Sequence, residues 1–458
     1  MSGSDLIIVG GGLAGLTAAN RAAEGGLSVL VLERGAEPDY FCNSRIAGGL
    51  LHVAFRDMTR PAEEIRASVA ESVGEAGDPA TALAPLLADD AGKVLAWLRA
   101  EGGAFVRGGA PEFMRWVMAP PRRRRGGLDW KGRGPDALLR RLTRNLAARG
   151  GELRLGSPVE ALAVEDGRVV GVRTAAGAER ARFVLIADGG FQDNPELVRR
   201  HLSPRPERLF RRGAGGGRGD GIAMAVEVGA ATVGMDRFYG HLLGLDAFGN
   251  DRLWPYPTLD SLAAVSLLVD GAGRRFCDEG LGGVFMANEL ARLEDPEGAA
   301  VLFDDRLWRE DAADNRYPPA LNPSFPAAGG RVFEAPTVDR LAEILAMPAL
   351  AGTVAAHNAG RHEPARTVGR FPAKPIAEPP FRAIRAAAGI TYSMGGLAID
   401  RAARVLDAGA RPVPGLYAAG SAAGGLEGGP RAAYLGGLAK AVATGLRAAE
   451  AMLAEGGG

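Results

Sequence analysis

Two cysteines, Cys42 and Cys277, are all that the 458 residues carry. That is too few for a disulfide framework or a structural zinc site, so no metal is expected and a reducing compartment suits the chain. The cysteine cluster of an iron–sulfur protein and the Cys-x-x-Cys-His haem attachment are missing too. Lysine is nearly absent, four residues against fifty arginines, yet basic and acidic residues number 54 each and the formal net charge is zero. Without an overall field, neither nucleic acid nor an anionic membrane surface is an expected partner. No window reaches about 18 uninterrupted apolar residues, the length of a membrane span. The opening residues MSGSD lack the basic-then-apolar pattern of a secretion signal, and a cytoplasmic protein with no integral membrane segment is expected.

What is present is 47% apolar residues with 67 glycines and 29 prolines, a loop-rich but globular composition. The length exceeds what one core sustains, and two domains are expected. Residues 6–9 form the continuous apolar run of a strand buried on both faces. Gly10, Gly11, Gly12, Leu13, Ala14 and Gly15 follow. A Gly-x-Gly-x-x-Gly turn lets the backbone approach a pyrophosphate, and a helix predicted over 13–24 aims its N-terminal dipole at it. A second apolar run, 27–32, ends in Glu33 about twenty residues after the turn, where an acid reaches a ribose hydroxyl. Strand, turn, helix, strand and acid together predict a dinucleotide site. Residues 159–164 and 168–174, joined by Asp166-Gly167, read as a hairpin followed by a strand over 182–186. A β-meander inserted in a dinucleotide fold favours flavin over nicotinamide. Residues 415–420 read as another short strand ending in Gly420. The helix predicted from about Gly436 to Ala454 points its N-terminus where it can stabilise charge on a reduced flavin.

These segments carry a resemblance. IIVGGGLAGLTAA with Glu33, Asn43-Ser44-Arg45-Ile46-Ala47-Gly48-Gly49, Gly219-Asp220-Gly221, RRFCDEG at 274–280, SMGGLAID at 393–400 and GLYAAG at 415–420 resemble, in order and over nearly the whole chain, the fumarate reductase and succinate dehydrogenase flavoprotein superfamily. The short length makes the chain most similar to tricarballylate dehydrogenase-like and 3-ketosteroid dehydrogenase-like members. The resemblance implies an α/β fold, with a Rossmann-like FAD-binding domain carrying the meander (1–235 and 385–458) and a smaller α+β capping domain between (236–384). To FAD it assigns, besides the glycine turn and Glu33, Arg34, Asn43, Ser44, Gly48 and Gly49. Further along it assigns Val159, then Ala187, Asp188 and Gly189, and near the C-terminus Gly420, Ser421, Gly437 and Leu438.

Departures from the superfamily pattern are informative. Phe41-Cys42-Asn43-Ser44 stands where succinate dehydrogenases attach FAD to a histidine, which implies noncovalent FAD. Ser421 replaces a glutamate that holds the ribityl chain. Gly283 occupies the position of the arginine proton donor of fumarate reductases, a tyrosine in ketosteroid dehydrogenases. Tyr392 stands where fumarate reductases carry a His and Tyr434 where they carry a substrate-clamping Arg, and the absence of the Arg pair, at Gly283 and Tyr434, argues against a C4-dicarboxylate substrate. Tyr434, before Leu435-Gly436-Gly437-Leu438, resembles the ketosteroid dehydrogenase tyrosine that polarises a ketone together with a backbone amide.

The expected activity is therefore FAD-dependent oxidation or reduction of a CH–CH bond next to a carbonyl, in a ketone or oxo-acid, with hydride passing to flavin N5. Tyr434 hydroxyl and the Leu438 amide are the expected oxyanion donors, Tyr392 the first candidate base and His241, in Phe238-Tyr239-Gly240-His241, the second. Arg431 is a candidate for a substrate carboxylate, or else for a salt bridge to Glu427. The alternative is a tricarballylate-type polycarboxylate dehydrogenase using Arg431 and the basic loop Arg122 to Arg125, which otherwise reads as a solvated loop.

Overall fold

The computed structural model describes residues 3–123, 127–313, 320–367 and 371–456. Ser4–Val9 and Val29–Leu32 pair in parallel, with Leu6, Ile7, Ile8 and Val31 fully buried, as their unbroken apolar runs require. They lie within an eight-stranded sheet whose central order is Arg404–Leu406, Pro412–Ala418, Gly177–Ile186, Ser4–Val9, Val29–Leu32, Glu152–Arg154. Along this path only the edge strand Arg404–Leu406 runs antiparallel. The meander of Val159–Glu165 and Arg168–Thr174 joins through Gly177–Ile186. The first residues of that strand pair with the meander, and its last six pair with Ser4–Val9.

Helix Leu13–Glu24 packs against the C-terminal helix Gly437–Gly456. Small residues allow a close approach: a Cβ added at Gly445 would lie 2.7 Å from the Ala14 carbonyl oxygen. The last helix thus backs the first one directly behind the glycine turn.

A second, six-stranded sheet is built around the long strand Phe381–Ser393. Phe238–Gly244 pairs antiparallel along one part of it, and Ala300–Phe303 and Phe333–Ala335 along another. Phe210–Arg211 joins in parallel. A separate apolar cluster, including Leu267, Leu302, Leu341, Leu350 and Ala383, packs beneath helices Val338–Leu345 and Leu350–Asn358. The expected division between residues 384 and 385 falls inside Phe381–Ser393, which runs unbroken from this outer cluster to Thr391 and Tyr392. The ladder, not a linker, joins the two regions.

The glycine turn is braced from below. Tyr40 hydroxyl donates to the Gly11 carbonyl, and the Arg45 guanidinium lies 4.3 Å from the Tyr40 ring centroid. Arg45 is in turn ion-paired with Asp136 at the start of helix Gly134–Ala148, and both are buried. Burial alone raises the Asp136 carboxyl, but the Gly132 amide and the guanidinium groups of Arg140 and Arg45 outweigh it and hold it below its ordinary value. Asp136→Asn leaves Arg45 buried without its counter-charge and is expected to cost about 3–5 kcal/mol in a urea unfolding experiment. The wild-type stabilisation is complete above the unfolded carboxyl pKa of about 4 and is lost as pH falls through the depressed folded value. An unchanged midpoint in the variant, or a wild-type midpoint independent of pH in that window, would refute the assignment.

Candidate active site

The turn after Ser4–Val9 opens into one continuous cavity of about 1110 Å³. Ligand pockets usually span about 300–1,000 Å³, so this one has room for a dinucleotide and a second small molecule. Gly10 takes φ +103°, and an added Cβ there would lie 2.7 Å from the Ala187 oxygen and the Asp188 Cα. Gly12 differs: its added Cβ would point into open space, with Ser44 Oγ nearest at 3.4 Å. Gly12 precedes helix Leu13–Glu24 and brings no side chain of its own to cap it, so the backbone amides not taken by Glu33 or Ser44 face the cavity. Glu33, 8% exposed, accepts from the Gly11 amide through Oε2 and from the Gly35 amide through Oε1, each at 2.8 Å. Its carboxylate therefore shapes the turn as well as lining the cavity. Ser44 Oγ accepts from the Leu13 amide at 3.0 Å.

Asp188 lines the same end. Its Oδ2 accepts from the Gly221 amide at 2.8 Å, its Oδ1 is buried without a partner, and burial pushes the carboxyl up to about 6. An open glycine cradle at a helix N-terminus, a buried acid at the end of the second strand and an orphaned carboxyl oxygen suit the phosphates and hydroxyls of FAD. The expected cofactor residues line this cavity, including Val159, Ala187, Gly189, Gly420 and Ser421, except two of the glycine turn, Gly11 and Gly15. The missing side chain of Gly15 makes way for the Gly10 carbonyl, so the third glycine serves helix–strand packing. Asn43 lines the cavity but is spent as a brace, donating to the Thr391 carbonyl at 2.8 Å and accepting from the Ala214 amide at 2.7 Å. Arg34 pairs with Asp220 at 3.0 Å. The Cys42 thiol is raised to about 11 by burial, which keeps it protonated and a poor nucleophile.

The other end is aromatic. Tyr239 and Tyr434 stack with centroids 4.0 Å apart, and Tyr392 lies 5.2 Å from Tyr239. His52 and Phe55 approach the Tyr434 ring at 5.6 and 5.9 Å. The Tyr434 hydroxyl interacts with the Gly437 amide and with Tyr239; burial and the nearby Glu427 charge raise its pKa, so it stays a donor. Leu438 lies in the first turn of the C-terminal helix, where amides have no intrahelical acceptor.

Tyr392, the first candidate base, is bound into a buried ion pair. Its hydroxyl donates to Glu427 Oε2 at 3.0 Å, and burial with the Glu427 charge drives its pKa well above the ordinary value. Glu427 is paired with Lys440 at 3.3 Å, both fully buried, so the alternative Arg431–Glu427 salt bridge is not formed. Arg431 sits exposed at the rim and donates to the Glu71 carbonyl at 3.1 Å. In the basic loop, Arg122 donates to the carbonyls of Ile46 and Asp129, while Arg124 and Arg125 lie outside the described residues.

His241 lines the cavity together with three residues that sequence reasoning missed: Tyr239, Asp260 and Arg212. Tyr239 shares a strand with His241 at a spacing of two, a readable signal. Asp260 and Arg212 come from distant segments and carry none. Arg212, 7% exposed, donates to Thr391 Oγ1 at 3.0 Å and to the Pro255 carbonyl at 3.2 Å, and its Nε is unpartnered.

Comparison with known proteins agrees with the cofactor end. The family model described as FAD binding domain matches residues 5–433. A probable fumarate reductase of Shewanella frigidimarina (strain NCIMB 400) is 28% identical over 444 residues, 93% of this chain and 71% of its own length. A vinyl phenol reductase of Lactiplantibacillus plantarum is 24% identical over 463 residues, 93% of this chain and 90% of its own. Among solved structures, a 3-ketosteroid-Δ4-(5α)-dehydrogenase from Rhodococcus jostii RHA1, in complex with 4-androstene-3,17-dione, superposes with a TM-score of 0.74 at 22% identity, covering 98% of this chain and 96% of that one. With a glycine cradle at its centre and a family match along most of its length, the chain belongs to the FAD binding domain family and is a flavoprotein oxidoreductase.

Proposed function

We propose that this flavoprotein oxidises or reduces a CH–CH bond next to a carbonyl in a ring-bearing ketone or oxo-acid, with FAD held noncovalently. The observation that carries the reading is Tyr434: a protonated hydroxyl fixed beside the first amides of the C-terminal helix, inside an aromatic chamber continuous with the cofactor cradle. FAD, when bound, supplies the two-electron acceptor or donor. The protein's own share is to hold the carbonyl oxygen while charge grows on it, with Tyr434 hydroxyl and the Leu438 amide as donors, and to manage the remaining proton. The aromatic rings of Tyr239, Tyr434, Phe55 and His52 exclude water and suit a ring. The buried Arg212, which no described carboxylate pairs, favours the oxo-acid form.

The relatives named a fumarate reductase and a vinyl phenol reductase support action at a carbon–carbon bond. A tricarballylate-type polycarboxylate is less well served, because Arg431 is exposed at the rim and the chamber is aromatic. We assign FAD to residues 1–235 and 385–458, with 236–384 covering the substrate, and leave reoxidation to an external acceptor: oxygen, a quinone or a redox protein. Among the described residues no helix is long and apolar enough to cross a membrane.

Gly12→Val puts a side chain into the cradle at a position where only Ser44 Oγ lies within 4 Å of the added Cβ. The purified variant is expected to be folded and colourless, and full FAD occupancy would overturn the site. Wild-type flavin is expected in the supernatant after denaturation. For the chemistry, anaerobic bleaching of bound flavin by cyclic ketones, oxo-acids and polycarboxylates identifies the substrate class. Tyr434→Phe should then slow single-turnover bleaching by about 10²- to 10³-fold with unchanged FAD content. A rate within about threefold of wild type, roughly half a kcal/mol of barrier, would remove Tyr434 from the mechanism.

A further inference from the structure

We propose that Tyr239, His241 and Asp260 form the proton-transfer chain of this chamber, with Tyr239 exchanging the proton with the substrate carbon; the proposal rests on the carbonyl reading above. All three line the cavity. Tyr239 and His241 lie two apart on strand Phe238–Gly244, with their rings 5.1 Å apart. His241 Nε2 lies 3.0 Å from the Tyr239 hydroxyl, and Nδ1 is bonded to Asp260 Oδ2. The other oxygen of Asp260 accepts from the Leu242 amide at 2.8 Å, so the carboxylate is held at both ends.

The place that Asp260 occupies exists because of Gly283. A Cβ added there would fall on the Asp260 carboxylate. The residue at which the family resemblance leaves the proton donor missing is thus the residue whose small size admits another acid.

The hydrogen positions follow from the donor and acceptor inventory. The groups acting on His241 are Asp260, Arg212 and Tyr239. Burial and the Arg212 charge lower its pKa against the opposing pull of Asp260, so the ring is neutral. An ionised carboxylate only accepts, which puts the ring hydrogen on Nδ1 and leaves Nε2 as acceptor for the Tyr239 hydroxyl. Tyr239, its pKa raised by burial, cannot persist as a phenolate and needs His241 to take its proton in step. Of the other hydroxyls on this wall, Tyr434 contacts the Tyr239 hydroxyl and Tyr392 is committed to Glu427.

In the oxidative direction the C–H bond beside the carbonyl breaks and its electron pair stays in the substrate as an enolate held by Tyr434. The proton passes to the Tyr239 oxygen as the tyrosine's own proton moves to His241 Nε2, and the imidazolium is paired with Asp260. The second hydrogen and two electrons are the share assigned above to FAD. Reduction moves the same proton back. Tyr239 and His241 are the catalytic residues and Asp260 is a positioning residue.

The test uses the FAD-loaded enzyme kept chemically reduced, so that a saturated ketone cannot be oxidised and only its proton exchange is seen. Deuterium uptake from D2O into cyclohexanone and 5α-androstane-3,17-dione is followed by mass spectrometry, and His241 is observed by 15N NMR. Tyr239→Phe and His241→Gln should slow uptake by about 10²-fold or more. Asp260→Asn should slow it by on the order of 10²-fold by leaving the ring in the wrong tautomer. Both Asp260→Asn and Gly283→Ala should abolish the wild-type Nδ1–H signature, which Tyr239→Phe and Tyr434→Phe should keep. Tyr239→Phe exchanging within about threefold of wild type, or a wild-type His241 carrying its hydrogen on Nε2, overturns the chain whatever the substrate. A wild-type enzyme inert toward both ketones but with the signature intact counts instead against the carbonyl reading.

Discussion

One buried carboxylate holds the chemistry in place. Glu427 accepts from the Leu435 and Gly436 amides at 2.8 and 3.1 Å through one oxygen, and contacts Tyr392 hydroxyl and Lys440 ammonium through the other. Such a charge, with no exposure to water, persists only because the ammonium, the hydroxyl and the positive end of the C-terminal helix surround it. Through it three segments become one object: the loop bearing Tyr434, the end of Phe381–Ser393 bearing Tyr392, and the helix bearing Leu438. Lys440 adds a fourth tie by donating to the Met394 carbonyl at 3.3 Å. The orientation of Tyr434 is thus a property of this ion pair as much as of its own packing.

From that anchor the cavity changes character along its length. At the strand ends, backbone amides, Glu33 and the orphaned oxygen of Asp188 make a polar cradle. Toward the second sheet, stacked tyrosines and His52 replace them. On the proposed reading, a charged cofactor and a less polar substrate are each matched by the end they face, and the helix that begins at Gly437 lines the same cavity. On that reading, function follows from placing a fixed hydroxyl, a half-buried imidazole and an amide-rich turn along one continuous wall.

The cofactor half was legible because its requirements are local. Apolar runs flanking Gly10 to Gly15, and an acid at Glu33, are spaced by the geometry of one strand, turn, helix and strand, and the structure reproduces the helix as read and both strand ends, with each strand start shifted by two residues. The meander announced itself through Asp166-Gly167. The substrate half was only partly legible, because its contacts join residues far apart in sequence. Asp260 meets His241 only through the folding of the second sheet, and nothing near it in sequence marks it. Tyr392 read as a free phenol because Glu427, 35 residues away, cannot be placed beside it without the strand ladder. Arg212 gives no periodic signal, and its burial depends on Gly389, whose added Cβ would fall on the guanidinium stem.

The unbroken strand Phe381–Ser393 has a bearing on how such a protein can diversify. It pairs with Phe238–Gly244, Ala300–Phe303, Phe333–Ala335 and Phe210–Arg211 at once. Gaining or losing one residue along its regular part would turn the residues beyond to opposite faces and slip its partners out of register, and the one irregularity in its pairing with Phe238–Gly244 lies at Thr391. Length changes are therefore costly along most of this strand. New substrate ranges arise at less cost by exchanging one side chain for another along a backbone of fixed count, or by lengthening loops elsewhere on the rim.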